Sequence, residues 1–118
     1  MKLNFITFMV RDIKKSVAFY QELAGLQVMR TISLEAGEIV FLANKKDETM
    51  LEFIEFDGVE KVQAKGMVLS FSAEGTLEEL RARALELGYS PSEIIVKGPK
   101  PAHFTVTDPD EIIVEFCV

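Results

Sequence analysis

Two short segments of the chain, 63 residues apart, carry the same pattern of apolar residues around one glutamate. The first reads Met50-Leu51-Glu52-Phe53 and the second reads Ile113-Val114-Glu115-Phe116. Successive side chains of a strand point to opposite faces, so each glutamate shares its face with apolar neighbours. A carboxylate in such surroundings is paired, hydrogen-bonded or lines a cavity. The repeated pattern therefore predicts two similar units with a glutamate at the same place in each.

The offset of 63 residues aligns the two halves of the chain without a gap. It places Gly25 on Gly88, each at the end of a predicted helix, and Phe41 on Phe104, each in a predicted strand. Ordered agreement of this kind is the mark of a structural repeat. We interpret it as an internal duplication of a βαβββ unit.

Each half begins with the signals of a strand followed by a helix. Leu3–Val10 is rich in aromatic and branched residues, and Asp12 is a suitable N-cap for the helix that follows. In the second half, Thr76 and Glu79 have the spacing of a capping box. A short irregular strand is predicted at Ser92–Val96, before the last two strands of the chain.

Composition limits the class of protein. A chain of 118 residues with 48% hydrophobic and 27% charged residues predicts one compact domain over residues 1–118, made of repeats at about 1–57 and 65–118. The net charge of −6 argues against a nucleic-acid partner, and no apolar run approaches the roughly 20 residues that span a bilayer. The single Cys117 fits a reducing cytosol, so we expect a cytoplasmic protein.

The motifs at the two ends of the chain resemble those of a known family. The segment FMVRDIKKSVAFY (residues 8–20) and the closing segment DPDEIIVEF (residues 108–116) are similar to the opening and closing motifs of the vicinal oxygen chelate superfamily. This superfamily includes glyoxalase I, extradiol dioxygenases, and bleomycin and fosfomycin resistance proteins. The resemblance implies an α+β fold in which tandem βαβββ modules form a curled mixed sheet around a cavity, with the helices outside.

The resemblance also identifies the positions at which metalloenzyme members of the family bind a metal. Carried over to this chain, these positions are Phe5, Glu52, Val68 and Glu115. Neither Phe nor Val can donate to a transition metal, so we expect no cofactor. The weaker alternative is a divalent cation such as Mg²⁺ or Mn²⁺, held by the two glutamates, water and substrate oxygens.

Two interpretations are open for each of the polar residues near these positions. His103, outside the family's ligand positions, is either a partly exposed strand histidine or a hydrogen-bonding or proton-transfer group in the pocket. The glutamates are either hydrogen-bonded to Thr7, Ser70 or water, or desolvated without a cation. In the second case the pKa of the glutamate would rise and it could donate a proton.

Taken with this resemblance, the sequence favours a metal-free protein that binds a small organic, possibly cationic, ligand in the sheet cavity. The resemblance to the resistance proteins also implies a homodimer. No catalytic residue is identified. One alternative is a divalent-metal-dependent lyase or isomerase of the glyoxalase I type using Glu52 and Glu115, and another is a regulatory or immunity module without a small ligand. The candidate pocket residues are Phe5, Thr7, Met9, Met50, Glu52, Ile54, Val68, Ser70, Ser72, His103 and Glu115.

Overall fold

A computed structural model describes all 118 residues. The chain divides into two compact units, Met1–Val62 (unit 1) and Gln63–Val118 (unit 2), each with its own sheet and one main helix. The predicted mixed α+β class is confirmed. No helix is both long enough and apolar enough to span a membrane.

Unit 1 has the predicted order of elements. They are β1 (Phe5–Met9), α1 (Ile13–Glu22), β2 (Gln27–Leu34), β3 (Gly37–Ala43) and β4 (Met50–Phe56). The strands lie in the order β1-β4-β3-β2, with β1 parallel to β4 and the other neighbours antiparallel. Unit 1 is therefore a complete βαβββ unit.

The start of α1 follows from its capping residue. Asp12 is extended, and its side chain accepts a hydrogen bond from the Lys15 backbone N–H, which has no partner inside the helix. The apolar side of α1 packs against β3 and β4. Phe19 and Tyr20 are fully buried there, and the Tyr20 ring lies 5.2 Å from that of Phe53. The helix thus covers the face of the sheet opposite to Glu52.

Unit 2 is a shorter version of the same plan. Its elements are β5 (Val68–Ser72), α2 (Leu77–Glu86), β6 (His103–Thr107) and β7 (Ile113–Cys117). The strands lie in the order β5-β7-β6, and β5 is parallel to β7 as β1 is to β4. Thr76 caps α2 by accepting a hydrogen bond from the Glu79 backbone N–H at 3.1 Å, as its spacing predicts.

The strand predicted at Ser92–Val96 does not form. This segment makes one isolated bridge, between Ile95 and His103. Nearer its start, the Ser92 N–H donates to the Thr105 carbonyl at 2.8 Å, but the Thr105 N–H donates to the Ser92 hydroxyl at 3.0 Å. A side chain therefore takes the place of a backbone acceptor, which interrupts the ladder that a regular strand requires.

The gap-free alignment of the two halves is wrong in one strand. Phe41 is paired with Glu52 in unit 1, whereas in unit 2 the residue paired with Glu115 is Thr105, not Phe104. The connection into β7 is one residue shorter than the connection into β4, so the offset changes from 63 to 64 residues in β6. Because side chains alternate along a strand, this shift moves Phe104 to the buried face.

The connection into β7 is a tight reversal. The Asp108 carboxylate accepts hydrogen bonds from the backbone N–H groups of Asp110 at 2.8 Å and Ile112 at 2.9 Å. Glu111 adopts a left-handed conformation with φ of 66°, which is uncommon for a residue with a side chain. Asp108 therefore fixes the turn from which Glu115 follows.

Candidate functional site

The structure brings together the candidate pocket residues of unit 1. The parallel register of β1 and β4 pairs Phe5 with Met50, Thr7 with Glu52 and Met9 with Ile54. Paired residues of neighbouring strands point to the same side of a sheet. We call this surface the Glu52 face; it consists of Phe5, Thr7, Met9, Met50, Glu52 and Ile54.

Phe41 belongs to the Glu52 face as well, although the sequence did not place it there. It is paired with Glu52, and its ring lies 5.0 Å from that of Phe5. The alignment with the buried Phe104 hid this role, because the one-residue difference between the connections is not visible in the residues themselves. The alternation of side chains along β3, once β3 is paired with β4, is the signal that could have placed Phe41 on this face.

Glu52 is a half-buried carboxylate without a cationic partner. The Thr7 hydroxyl donates a hydrogen bond to Oε1 of Glu52, which confirms one of the two readings of this residue. No lysine or arginine is paired with Glu52. The Glu52 face therefore combines one carboxylate with two aromatic rings and three aliphatic or thioether side chains.

The candidate pocket residues of unit 2 lie together on the equivalent surface. The registers of β5, β7 and β6 pair Ser70 and Thr105 with Glu115, and Ser72 and His103 with Cys117. We call this surface the Glu115 face; it consists of Val68, Ser70, Ser72, His103, Thr105, Thr107, Ile113, Glu115 and Cys117.

Glu115 is buried and has two hydrogen-bonding partners. Only 4% of it is exposed. The Ser70 hydroxyl donates to Oε1 at 2.7 Å, which confirms the predicted bond, and the Lys100 ammonium donates to Oε2. Lys100 was not predicted as a site residue, because it lies in the segment before β6, outside every strand pattern.

The surroundings of Glu115 lower its pKa below the ordinary value of 4.5. The hydrogen bond from Lys100 is the largest cause and the bond from Ser70 is the next, while burial opposes them. The positive charge of Lys100 and that of a protonated His103 add to the lowering. Glu115 is therefore not the glutamate desolvated without a cation that the second interpretation requires, since Lys100 stabilises its ionised form.

His103 is buried, not partly exposed. It is 9% exposed, and its Nδ1 lies 2.8 Å from the Pro101 carbonyl oxygen. A carbonyl oxygen only accepts, so Nδ1 carries the proton. Nε2 lies 4.0 Å from Oε2 of Glu115, beyond hydrogen-bond distance. His103 thus has a hydrogen-bonding role beside the carboxylate, held in place by the chain around Pro101.

The donor chemistry of these residues does not fit a transition metal. Phe5 and Val68 have no donor atom, and no group of three or more His, Cys, Asp or Glu side chains is placed to hold a metal ion. Oε2 of Glu115 already forms an ion pair with the Lys100 ammonium. Imidazole, thiolate or several carboxylates are needed at such sites.

Two grooves lie beside α1, away from the candidate residues. Their volumes are about 460 Å³ and 290 Å³. The first is lined mainly by charged residues at the start of α1 and around Gly37, the second by α1, β2 and β3. No candidate pocket residue lines either groove.

The comparisons with known proteins agree with the motifs at the two ends of the chain. The family model of the Glyoxalase/Bleomycin resistance protein/Dioxygenase superfamily matches residues 2–116. A comparison with curated proteins gives no significant match.

Three solved structures illustrate the range of proteins that share the fold. TnmS3, an antibiotic binding protein from Streptomyces sp. CB03234, is 19% identical with a TM-score of 0.76, covering 99% of this chain and 94% of that one. Glyoxalase I from Leishmania major is 23% identical with a TM-score of 0.78, covering 99% and 86%. The fosfomycin resistance protein FosX from Listeria monocytogenes is 18% identical with a TM-score of 0.77, covering 99% and 92%.

At these identities the structures show a common fold and no common activity. The family model covers nearly the whole length of the sequence, including both glutamate strands. The chain belongs to the glyoxalase/bleomycin resistance protein/dioxygenase superfamily.

Proposed function

We propose that this protein binds a small organic ligand without a metal, and that the Glu52 face recognises a cationic, partly aromatic part of it. The observation that carries the proposal is the pairing of an uncompensated carboxylate with two aromatic rings. Phe5 and Phe41 have ring centroids 5.0 Å apart, and Phe5 is 49% exposed. Phe5 occupies a position at which metalloenzymes of the family have a ligand.

The physical basis of recognition is the combination of charge and ring. The positive charge of an organic ammonium is attracted by the carboxylate of Glu52 and by the face of the exposed Phe5 ring, which the buried Phe41 supports. Met9, Met50 and Ile54 add apolar contacts around these groups. The Glu115 face lacks the same free charge, because Lys100 neutralises Glu115. Glu52 therefore carries the preference for a cation that the sequence assigned to both glutamates.

The likeness to an antibiotic binding protein supports a binding role, since that protein shares the fold over nearly its full length. The alternative, a divalent-metal enzyme of the glyoxalase I type, would need Glu52 and Glu115 as ligands. The pairing of Glu115 with Lys100 opposes it.

The test uses benzyltrimethylammonium, an aromatic quaternary ammonium, as the probe. We expect saturable binding by calorimetry to protein treated with a chelator, and an affinity at least about tenfold lower in Glu52→Gln, since one charge-assisted contact is lost. Glu48→Gln, which removes an exposed loop carboxylate, is the matched control and should bind like the unmodified protein. Equal affinity in Glu52→Gln would contradict the proposal.

Metal analysis of the purified protein separates the two candidate functions. We expect no stoichiometric metal, and no change of melting temperature with Mg²⁺, Mn²⁺, Ni²⁺ or Zn²⁺. Bound metal that is lost when Glu52 and Glu115 are both replaced by alanine would instead support the metal-dependent enzyme.

We also propose that the protein acts as a homodimer in the cytoplasm. Apolar side chains of both units are exposed outside the two glutamate faces, including Leu34 at 53% and Leu85 at 52%, and a partner subunit would cover them. The free thiol of Cys117 suits a reducing compartment. Sedimentation at micromolar concentration should give twice the mass of the chain; a monomer would oppose the dimer.

A further inference from the structure

The Glu115 face presents an ammonium that a buried carboxylate holds in place. The Lys100 side chain is 54% exposed, whereas that of Glu115 is 5% exposed. An ammonium has three N–H donors, and the contact with Oε2 of Glu115 uses one of them. The exposed end of this ion pair is therefore the positively charged ammonium, and its other N–H donors are available to a ligand.

The backbone around Lys100 restricts its position. Lys100 lies between Pro99 and Pro101, whose rings fix their φ angles. The Pro101 carbonyl accepts a hydrogen bond from Nδ1 of His103, and the Ala102 carbonyl accepts one from the Val118 N–H at 3.2 Å. A group that is already held in position loses less conformational freedom when a ligand binds.

Several neighbouring side chains on this face are donors of hydrogen bonds, beside the apolar Val68 and Ile113. Ser72, Thr105 and Thr107 place hydroxyl groups on the same side of the sheet as Glu115. Glu115 is the only carboxylate among the residues of the face, and both of its oxygens are already bonded. A ligand approaching the face thus meets one ammonium and several hydroxyls, but no free negative charge.

We propose that the Glu115 face binds an oxyanion, a carboxylate or phosphate group, with Lys100 as the charged group that contacts it. The proposal goes beyond the function assigned to the Glu52 face, because it concerns the other unit and a ligand group of opposite charge. The Glu115 carboxylate positions Lys100 and does not itself contact the ligand. The hydroxyls of the face supply further hydrogen bonds to the oxygens of the anion.

The test is a titration of the isotope-labelled full chain, followed by NMR, with acetate and with inorganic phosphate at constant ionic strength. We expect saturable shifts of the amides in residues 68–72, 100, 102–107 and 113–117. Lys100→Met should weaken the binding about tenfold or more, because it removes the charged donor. Lys97→Met removes an exposed lysine of the same segment and should bind like the unmodified protein.

A second variant distinguishes a loss of binding from a defect in folding. Lys100→Met combined with Glu115→Gln leaves no unpaired charge on the face, and its amide spectrum shows directly that it is folded. We expect this variant also to lose the binding. Absence of saturable shifts with both anions, or equal affinity in the folded double variant, would overturn the proposal. Either result leaves the binding of benzyltrimethylammonium at Glu52 unaffected, so the two proposals fail separately.

Discussion

The two hydroxyl–carboxylate pairs of this protein have the same place in their units but different surroundings. Thr7 is paired with Glu52 between β1 and β4, and Ser70 with Glu115 between β5 and β7. In each pair the hydroxyl donates to Oε1 of the glutamate. Glu52 is half-buried and has no ammonium partner, whereas Glu115 is buried and is paired with Lys100.

This difference shows that a repeated backbone position does not fix the chemistry of its side chain. Strand register places both carboxylates on equivalent faces, since paired residues point to the same side. The charge balance of the two carboxylates depends on a segment outside the repeat pattern. This segment is the chain around Lys100, and unit 1 has no equivalent of it. This difference in charge balance is the reason why we propose ligand groups of opposite charge for the two faces.

The largest effect on stability should come from removing the ammonium of the buried pair. Lys100→Met leaves Glu115 ionised and without its strongest partner, so we expect a loss of about 1.5 kcal/mol, reduced by solvent screening of the half-exposed lysine. Lys97→Met should change stability by less than about 0.5 kcal/mol. Urea unfolding measures both values, and equal losses would contradict the proposed difference between the faces.

A smaller effect should appear in the dependence of stability on pH. The pKa of Glu115 is lowered in the folded protein, so the unfolded chain takes up the proton first as the pH falls. Its contribution is fully present above the ordinary value of 4.5 and is lost as the pH falls through the lowered pKa. We therefore expect the free energy of unfolding to fall less steeply in Glu115→Gln, measured from about pH 7 to about pH 3.

Carboxyl NMR titration checks the cause of this dependence. Lys100→Met, which removes the largest cause of the shift, should raise the pKa of Glu115 towards its ordinary value. An unchanged pKa in that variant would mean that Lys100 does not hold the carboxylate in its ionised form.

The smallest effects should come from removing the two hydroxyls. Ser70→Ala takes a hydrogen bond from a buried carboxylate and should cost about 1 kcal/mol, whereas Thr7→Val should cost roughly half of this or less, because water reaches Glu52. Unfolding of the two variants under identical conditions gives the comparison. A loss in Thr7→Val equal to that in Ser70→Ala would show that the two pairs are energetically alike.

Local patterns in the sequence predicted the helix starts and the strand faces. Asp12 and Thr76 cap their helices as their spacing indicates, and Thr7 and Ser70 bond the glutamates that they face. These features depend on residues close in sequence or on simple alternation along a strand. The same reasoning failed at Ser92–Val96, where a single hydroxyl replaces a backbone acceptor. Nothing in the local composition distinguishes that segment from a strand.

The sequence by itself determined the family, the α+β class and the position of the two glutamates, because periodicity and motifs encode all three. Only the tertiary structure decided the environments of these glutamates. The register of β3 with β4 places Phe41 on the Glu52 face, whereas the connection into β7, shorter by one residue, moves Phe104 to the opposite side of its sheet, since side chains alternate. The segment before β6 brought Lys100 to Glu115, 15 residues away in sequence. The charge state of a buried carboxylate depends on such contacts in space, which no pattern along the chain records.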